Sequence, residues 1–169
     1  IVSYQRRNHF IRKLTLDLKG NTLVLYNYVE KHGKPLYENI KQYSDDEERK
    51  IFFVSGNTPA NDREAIRMIV EKQKNAIIVA SLGTFSTGIN IRNLHNIVFA
   101  SPSKSQIRVL QSIGRGLRKT DDGKDTTLYD IVDDISWKSR KNYGILHADE
   151  RLRIYGREKF MHKTYKVQL

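Results

Sequence analysis

At 169 residues the chain is long enough for one ordinary domain with a core of its own. Thirty Lys+Arg against nineteen Asp+Glu give a formal net charge of +11, which favours a polyanionic partner, because each phosphate contact releases condensed counterions. The absence of cysteine excludes disulfides and thiolate metal sites and fits a reducing cytoplasm, and no run approaches the roughly 18 apolar residues of a membrane span.

The opening, IVSYQRRNHFIRKL, lacks the continuous apolar core of a signal peptide. It begins at Ile1 rather than methionine, so the chain reads as part of something larger. Residues 1–20 predict a basic lead-in helix with Phe10, Ile11, Leu14 and Leu18 on its apolar side. Five short β-branched or aromatic-rich runs then predict strands at 22–29, 51–54, 76–81, 96–101 and 127–132. Their nearly continuous apolar character suits a parallel sheet covered on both faces.

Helical patterns alternate with these strands. GKPLYENIKQYS carries Leu36, Ile40 and Tyr43 at helical spacing. TPANDREAIRMIVEKQK offers Thr58 as N-cap, Pro59 at the first helical position, and a stripe of Ala65, Ile66, Ile69 and Val70. SQIRVLQSIG places Ile107, Leu110 and Ile113 on one side. Alternation of this kind predicts a doubly wound α/β sheet with right-handed crossovers over 1–136.

The tail, 137–169, predicts a basic helical extension with nine basic and three acidic residues, about half of the net charge. Its face of Ile145, Leu146, Leu152, Ile154 and Tyr155 suits packing, and the other face suits phosphate.

In open α/β sheets ligands bind beyond the carboxyl ends of the strands. After 76–81 comes LGTFSTGIN, whose small hydroxylated residues and glycines suit either phosphate or an ordinary polar turn. After 51–54, SGNTP is a common strand-to-helix turn. Along QSIGRGLRK, Gln111, Arg115 and Arg118 fall at i, i+4 and i+7, on one helical face. Guanidinium forks match phosphate oxygens two at a time, whereas the bland alternative is a salt-bridged helix end.

Asp130, Asp133 and Asp134 in YDIVDD read as strand-end acids or partners for nearby Arg or Lys rather than metal ligands. The five histidines are scattered and read as surface or capping residues. The chain contains no G-x-x-x-x-G-K-[ST] phosphate loop, so a triphosphate would have to be held chiefly by another domain.

In this order the segments resemble the second RecA-like domain of superfamily 2 helicases. TLVLYNYVEKHGKPLYE looks like motif IV, FVSGNT like motif IVa, ASLGTFSTGIN like motif V and QSIGRGLRK like motif VI, over about residues 20–135. The resemblance implies a RecA-like sheet and ATP with Mg²⁺ held mainly by a first domain in cis. It implies Arg118 as the finger on the γ-phosphate, with Arg115 its companion and Gln111, Gly88 and Asn90 near the nucleotide. Asn90 stands where the family usually has aspartate, which removes a carboxylate from the ribose contact.

Asn27, Ser55, Gly56, Ser81 and Thr84 fall where the family contacts the strand backbone. The implied activity is ATP-driven work on DNA, branched or single-stranded, in recombination, repair or replication-fork processing. The alternative is a non-catalytic nucleic-acid-binding module on the same scaffold, and an upstream domain with a Walker A lysine separates the two.

Overall fold

The structure, a computed structural model, describes residues 1–86, 91, 93–101, 123, 125–136 and 142–169. Chain order is α1 (Gln5–Asp17), β1 (Thr22–Tyr26), a single π-helical turn (Val29–Gly33), α2 (Lys34–Gln42), β2 (Ile51–Val54) and α3 (Ala60–Lys72). Then follow β3 (Ile77–Ser81), α4 (Leu82–Ser86), β4 (Asn96–Phe99), β5 (Thr127–Asp130) and α5 (Tyr143–Arg157).

Among the described residues the five strands form one sheet in the order β2-β3-β1-β4-β5, with every neighbouring pair parallel. All five residues of β1 and all five of β3 are buried, the signature of strands covered on both faces. Alternation divides β1: Leu23 and Leu25 join a core beneath Val54, Val70, Leu82 and Tyr155, and Val24 and Tyr26 join a second core with Ile11, Leu36 and Ile40. Helices α1 and α2 therefore cover one face, and α3 and α5 the other. The expected doubly wound, RecA-like α/β architecture is what the chain forms.

Local chemistry sets the element ends. Strand β1 stops at Tyr26, short of the expected 29, because the Asn27 amide donates to the Ser101 hydroxyl (3.1 Å) rather than to a ladder carbonyl. The chain then turns through the π-helical segment, where Gly33 lies against Tyr26: a Cβ there would sit 2.5 Å from the ring.

Helix α3 differs from its expected cap and stripe. Thr58 Oγ1 accepts the Ser55 amide (3.0 Å) and so closes the preceding turn, while the helix begins at Ala60 without a side-chain cap. Its inward edge runs through Arg63, Ile66, Arg67 and Val70, whereas Ala65 and Ile69 face out. Two arginines thus share the half-buried edge with Ile66 and Val70, in place of Ala65 and Ile69.

Helix α5 is part of the core rather than a free appendage. Ala148, Arg151 and Tyr155 are buried, and Leu152 packs beside them, but Leu146 of the expected apolar face is 47% exposed. Arg151 grips Asp130 in a two-pronged fork, Nε to Oδ2 at 2.7 Å and Nη2 to Oδ1 at 2.9 Å, and the Tyr155 hydroxyl donates to the same carboxylate (2.9 Å). Asp133 accepts from Arg7 of α1 at 2.6 Å, so both acids serve as partners for arginine, as expected. Among the described residues no helix is long and apolar enough to cross a membrane.

The N-terminal edge of the sheet is closed by Asn21. Its Nδ2 lies within hydrogen-bonding distance of the Val70, Gln73 and Asn93 carbonyls at 3.0, 2.7 and 2.9 Å, and its Oδ1 accepts the Ala76 amide at 2.8 Å. Asn21→Ala strands several buried backbone groups, each costing about 1–3 kcal/mol when unpaired. We expect a loss of about 3 kcal/mol in unfolding free energy, read as a lower urea midpoint at unchanged slope. A loss below about 1 kcal/mol would remove Asn21 from this role.

Candidate functional site

The carboxyl ends of the parallel strands collect small polar residues. Register pairs Val54 with Ala80 and Tyr26 with Ser81, so Ser55, Ser81 and Asn27 leave neighbouring strands at one edge of the sheet. Gly56, Ser81 and Thr84, with Gly83 and Arg63, line one open depression of about 370 Å³.

The hydroxyls here are not idle. Ser81 Oγ and Thr84 Oγ1 lie 2.6 Å apart, and the Thr84 amide donates to Ser81 Oγ at 3.2 Å. Both side chains are buried at the floor, which leaves Gly56 and Gly83 as the open rim. A Cβ on either glycine would meet nothing within 4 Å, so the rim has free space above it. Such a floor and rim suit a small, oxygen-rich group that needs close approach to backbone.

Asn27 and Ser101 extend the edge toward β4. The Ser101 hydroxyl accepts the Asn27 amide and lies 2.9 Å from His32 Nδ1, a contact in which either group can donate depending on the imidazole tautomer. Asn27 does not line the depression, so of the five expected strand-contact residues the structure gathers Gly56, Ser81 and Thr84 around it. Ser55 sits beside them, and Asn27 lies further along the same edge. Gly88, Asn90, Gln111, Arg115 and Arg118 lie outside the described residues.

Comparison with known proteins places this edge in context. The family model "helicase conserved C-terminal domain" matches residues 6–120. The chain belongs to this helicase C-terminal domain family. Over its whole length it is 36% identical to the ATP-dependent DNA helicase uvsW of Enterobacteria phage T4, of which it covers 35%. The crystal structure of T4 UvsW superposes with a TM-score of 0.75 at 36% identity, over 93% of this chain and 33% of that one. The chain thus spans about a third of these relatives. The C-terminal part of the Fun30 ATPase domain shares the fold alone, with a TM-score of 0.54 at 16% identity over 85% of this chain and 49% of that one.

Several residues of this helicase domain escaped the sequence reading. Arg63 forms one wall of the depression; its signal was a cation at helical spacing from the apolar Ile66 and Val70. His32 is fully buried rather than a surface or capping residue. Arg151, counted with the basic tail, is buried at 1% exposure and neutralised by Asp130, so it is unavailable to a phosphate. Among the described residues no three His, Cys, Asp or Glu side chains gather as a metal site.

Burial, and secondarily the nearby Arg7 guanidinium, pushes His32 down to about 4, so it is neutral at ordinary pH. The ordinary histidine value is about 6.5. Between these values the unfolded chain binds the extra proton, so stability is complete above about pH 6.5 and is lost as pH falls toward 4. Wild type is therefore expected to lose about 2–3 kcal/mol more over that interval than His32→Asn, whose amide can still meet Ser101. Parallel urea titrations at both pH values check this, and identical losses would contradict a buried neutral His32.

Proposed function

We propose that this chain is the second motor domain of an ATP-dependent DNA helicase. The single observation that carries the reading is the floor-and-rim depression of Gly56, Ser81 and Thr84 at the carboxyl edge of the sheet. It stands where strand-contact residues are expected from motif order, and the curated relative is named as an ATP-dependent DNA helicase.

In this reading a nucleic-acid backbone crosses the edge formed by Asn27, Ser55, Gly56, Ser81 and Thr84. Contacts to phosphate rather than to bases give little sequence preference. Branched DNA in recombination, repair or fork processing is the proposed substrate, as the motif resemblance implies.

ATP with Mg²⁺ would bind between this domain and a preceding one. When bound, Mg²⁺ would supply charge neutralisation at the transferring phosphoryl group, and since this chain has no phosphate loop the groups holding it would come chiefly from the preceding domain. The chain's own share is cationic: Arg118 and Arg115 reach the phosphates, and Gln111, Gly88 and Asn90 approach the nucleotide. Closure of the two domains brings the arginines to the phosphates, and reopening releases them, so hydrolysis is tied to movement along the strand.

In a protein that joins this chain to a domain with a Walker A lysine, Arg118→Ala should lower ATP turnover by about 10³-fold or more, with nucleotide affinity changed only a few-fold. Steady-state turnover and equilibrium nucleotide titration measure the two separately. Wild-type turnover in the variant would sink the finger assignment. Salt-sensitive DNA binding without nucleotide hydrolysis in that joined protein would favour the non-catalytic binding module.

The exposed tail cations Arg153, Arg157, Lys159 and Lys163 are the proposed auxiliary contacts. Deleting the tail would remove Arg151 and Tyr155 from the core, so the clean variant replaces only these four by glutamine. The slope of log affinity against log salt for a single strand should fall by about 2–3. An unchanged slope would leave the tail with a packing role alone.

A further inference from the structure

We infer that His32 is a positioning residue for the turn after β1, held as the one neutral tautomer that carries its proton on Nδ1 and donates it to the Ser101 hydroxyl. The tautomer follows from the surroundings of the ring, and its effect on binding rests on the strand-contact reading of Asn27.

His32 belongs to the π-helical turn and is fully buried. Its Nδ1 lies 2.9 Å from Ser101 Oγ, and its Nε2 is buried with no hydrogen-bond partner. Which nitrogen of a neutral imidazole keeps the proton is set by what surrounds each one. The charged group that bears on this ring is Arg7 of α1. Asp133, beyond β5, accepts from Arg7 Nε at 2.6 Å, whereas Nη1 and Nη2 of the same guanidinium are buried and unpartnered.

A guanidinium offers donors only. A proton on Nε2 would add one more buried donor without an acceptor, in the field of a cation. A lone pair on Nε2 is favoured by that field instead, which leaves the proton on Nδ1. Ser101 Oγ has two lone pairs for this arrangement: the Asn27 amide uses one at 3.1 Å, and the imidazole N–H uses the other.

The direction of the whole chain of contacts is then settled. Asp133 accepts from Arg7, Arg7 polarises His32, and His32 and Asn27 both donate to Ser101. One polar path thereby joins α1 and the π-helical turn to the residue after β4, and holds Asn27 at the carboxyl edge of the sheet.

Long-range ¹H–¹⁵N spectra of the histidine-labelled 169-residue chain at neutral pH read the tautomer, and His32→Asn identifies the signal by its loss. A protonated Nδ1 with a bare Nε2 is expected. The opposite tautomer, or an even mixture, overturns the proposal whatever the chain binds.

The positioning role is read from anisotropy of a fluorescein-labelled single strand of thymidines, in variants whose circular dichroism matches wild type. His32→Leu keeps an apolar filling without a donor and is expected to weaken binding about three- to tenfold, the worth of one hydrogen bond. His32→Asn, whose amide can donate to Ser101, is expected to stay within about twofold of wild type. Unchanged affinity in His32→Leu, or equal weakening in both variants, overturns the role and leaves the strand reading intact. If His32→Leu does not fold, Ser101→Ala takes its place, and unchanged affinity there overturns the role. A wild-type chain with no salt-sensitive binding overturns the strand reading and the positioning role with it, while the spectra still decide the tautomer.

Discussion

The buried carboxamide of Asn21 closes the amino edge of the sheet, and the rest of the molecule is arranged around that closure. An all-parallel sheet with buried central strands has a problem at each end: ladder groups run out while the chain is still inside the protein. Asn21 solves it at one end with a single side chain that joins the end of α3 and the approach to β3 to the start of β1 and to Asn93 ahead of β4. His95 adds to the same seam by accepting the Asn21 amide on Nδ1. Gly20 passes so close to that ring, with φ at +91°, that a Cβ would lie 2.5 Å from it. With this edge sealed, the opposite edge is left to chemistry.

At the carboxyl edge the same polar residue types are used differently. Ser81 and Thr84 satisfy each other, Thr58 satisfies Ser55, and Ser101 satisfies Asn27. Each pair fixes a strand-end turn without demanding a long side chain, which keeps the backbone at the surface and the rim low. Ser101 links the Asn27 turn to His32 and is the last described residue before 102–122, the stretch that contains Arg115 and Arg118. A hydroxyl shared in this way ties the turn after β1 to the end of β4.

The parts of this design that follow from periodicity were legible in the sequence. Unbroken apolar runs such as AIIVAS gave parallel strands, because only burial on both faces allows them, and the spacing of Leu36 and Ile40 gave α2. The ordered motifs point to the family from the sequence alone. Harder to see were decisions made by which side chain claims which partner. Thr58 looks like a cap for α3 until Ser55 claims its hydroxyl, and Arg151 looks like surface charge until Asp130 claims it. His32 is indistinguishable from the other histidines until Arg7 and Ser101 surround it. Arg63 was the most nearly legible, since a cation in register with Ile66 and Val70 has no business on an apolar stripe without a partner.

That distinction changes how the charge of this domain should be understood. A net charge of +11 suggests a uniformly basic surface, yet several of its arginines are spent internally. Arg7 and Arg151 are nearly inaccessible and hold Asp133 and Asp130. Arg49 donates to the carbonyls of Leu16, Leu18 and Asn75, tying the end of α1 to the approach to β3. Removing a carboxylate from Arg7 or Arg151 would leave a buried charge uncompensated, which is far costlier than losing a surface pair. These cations therefore act as rivets for α1 and α5. Among the described residues, the tail cations Arg153, Arg157, Lys159 and Lys163 differ from these in being exposed. Placement, more than total charge, therefore decides which of these cations can meet a partner at all.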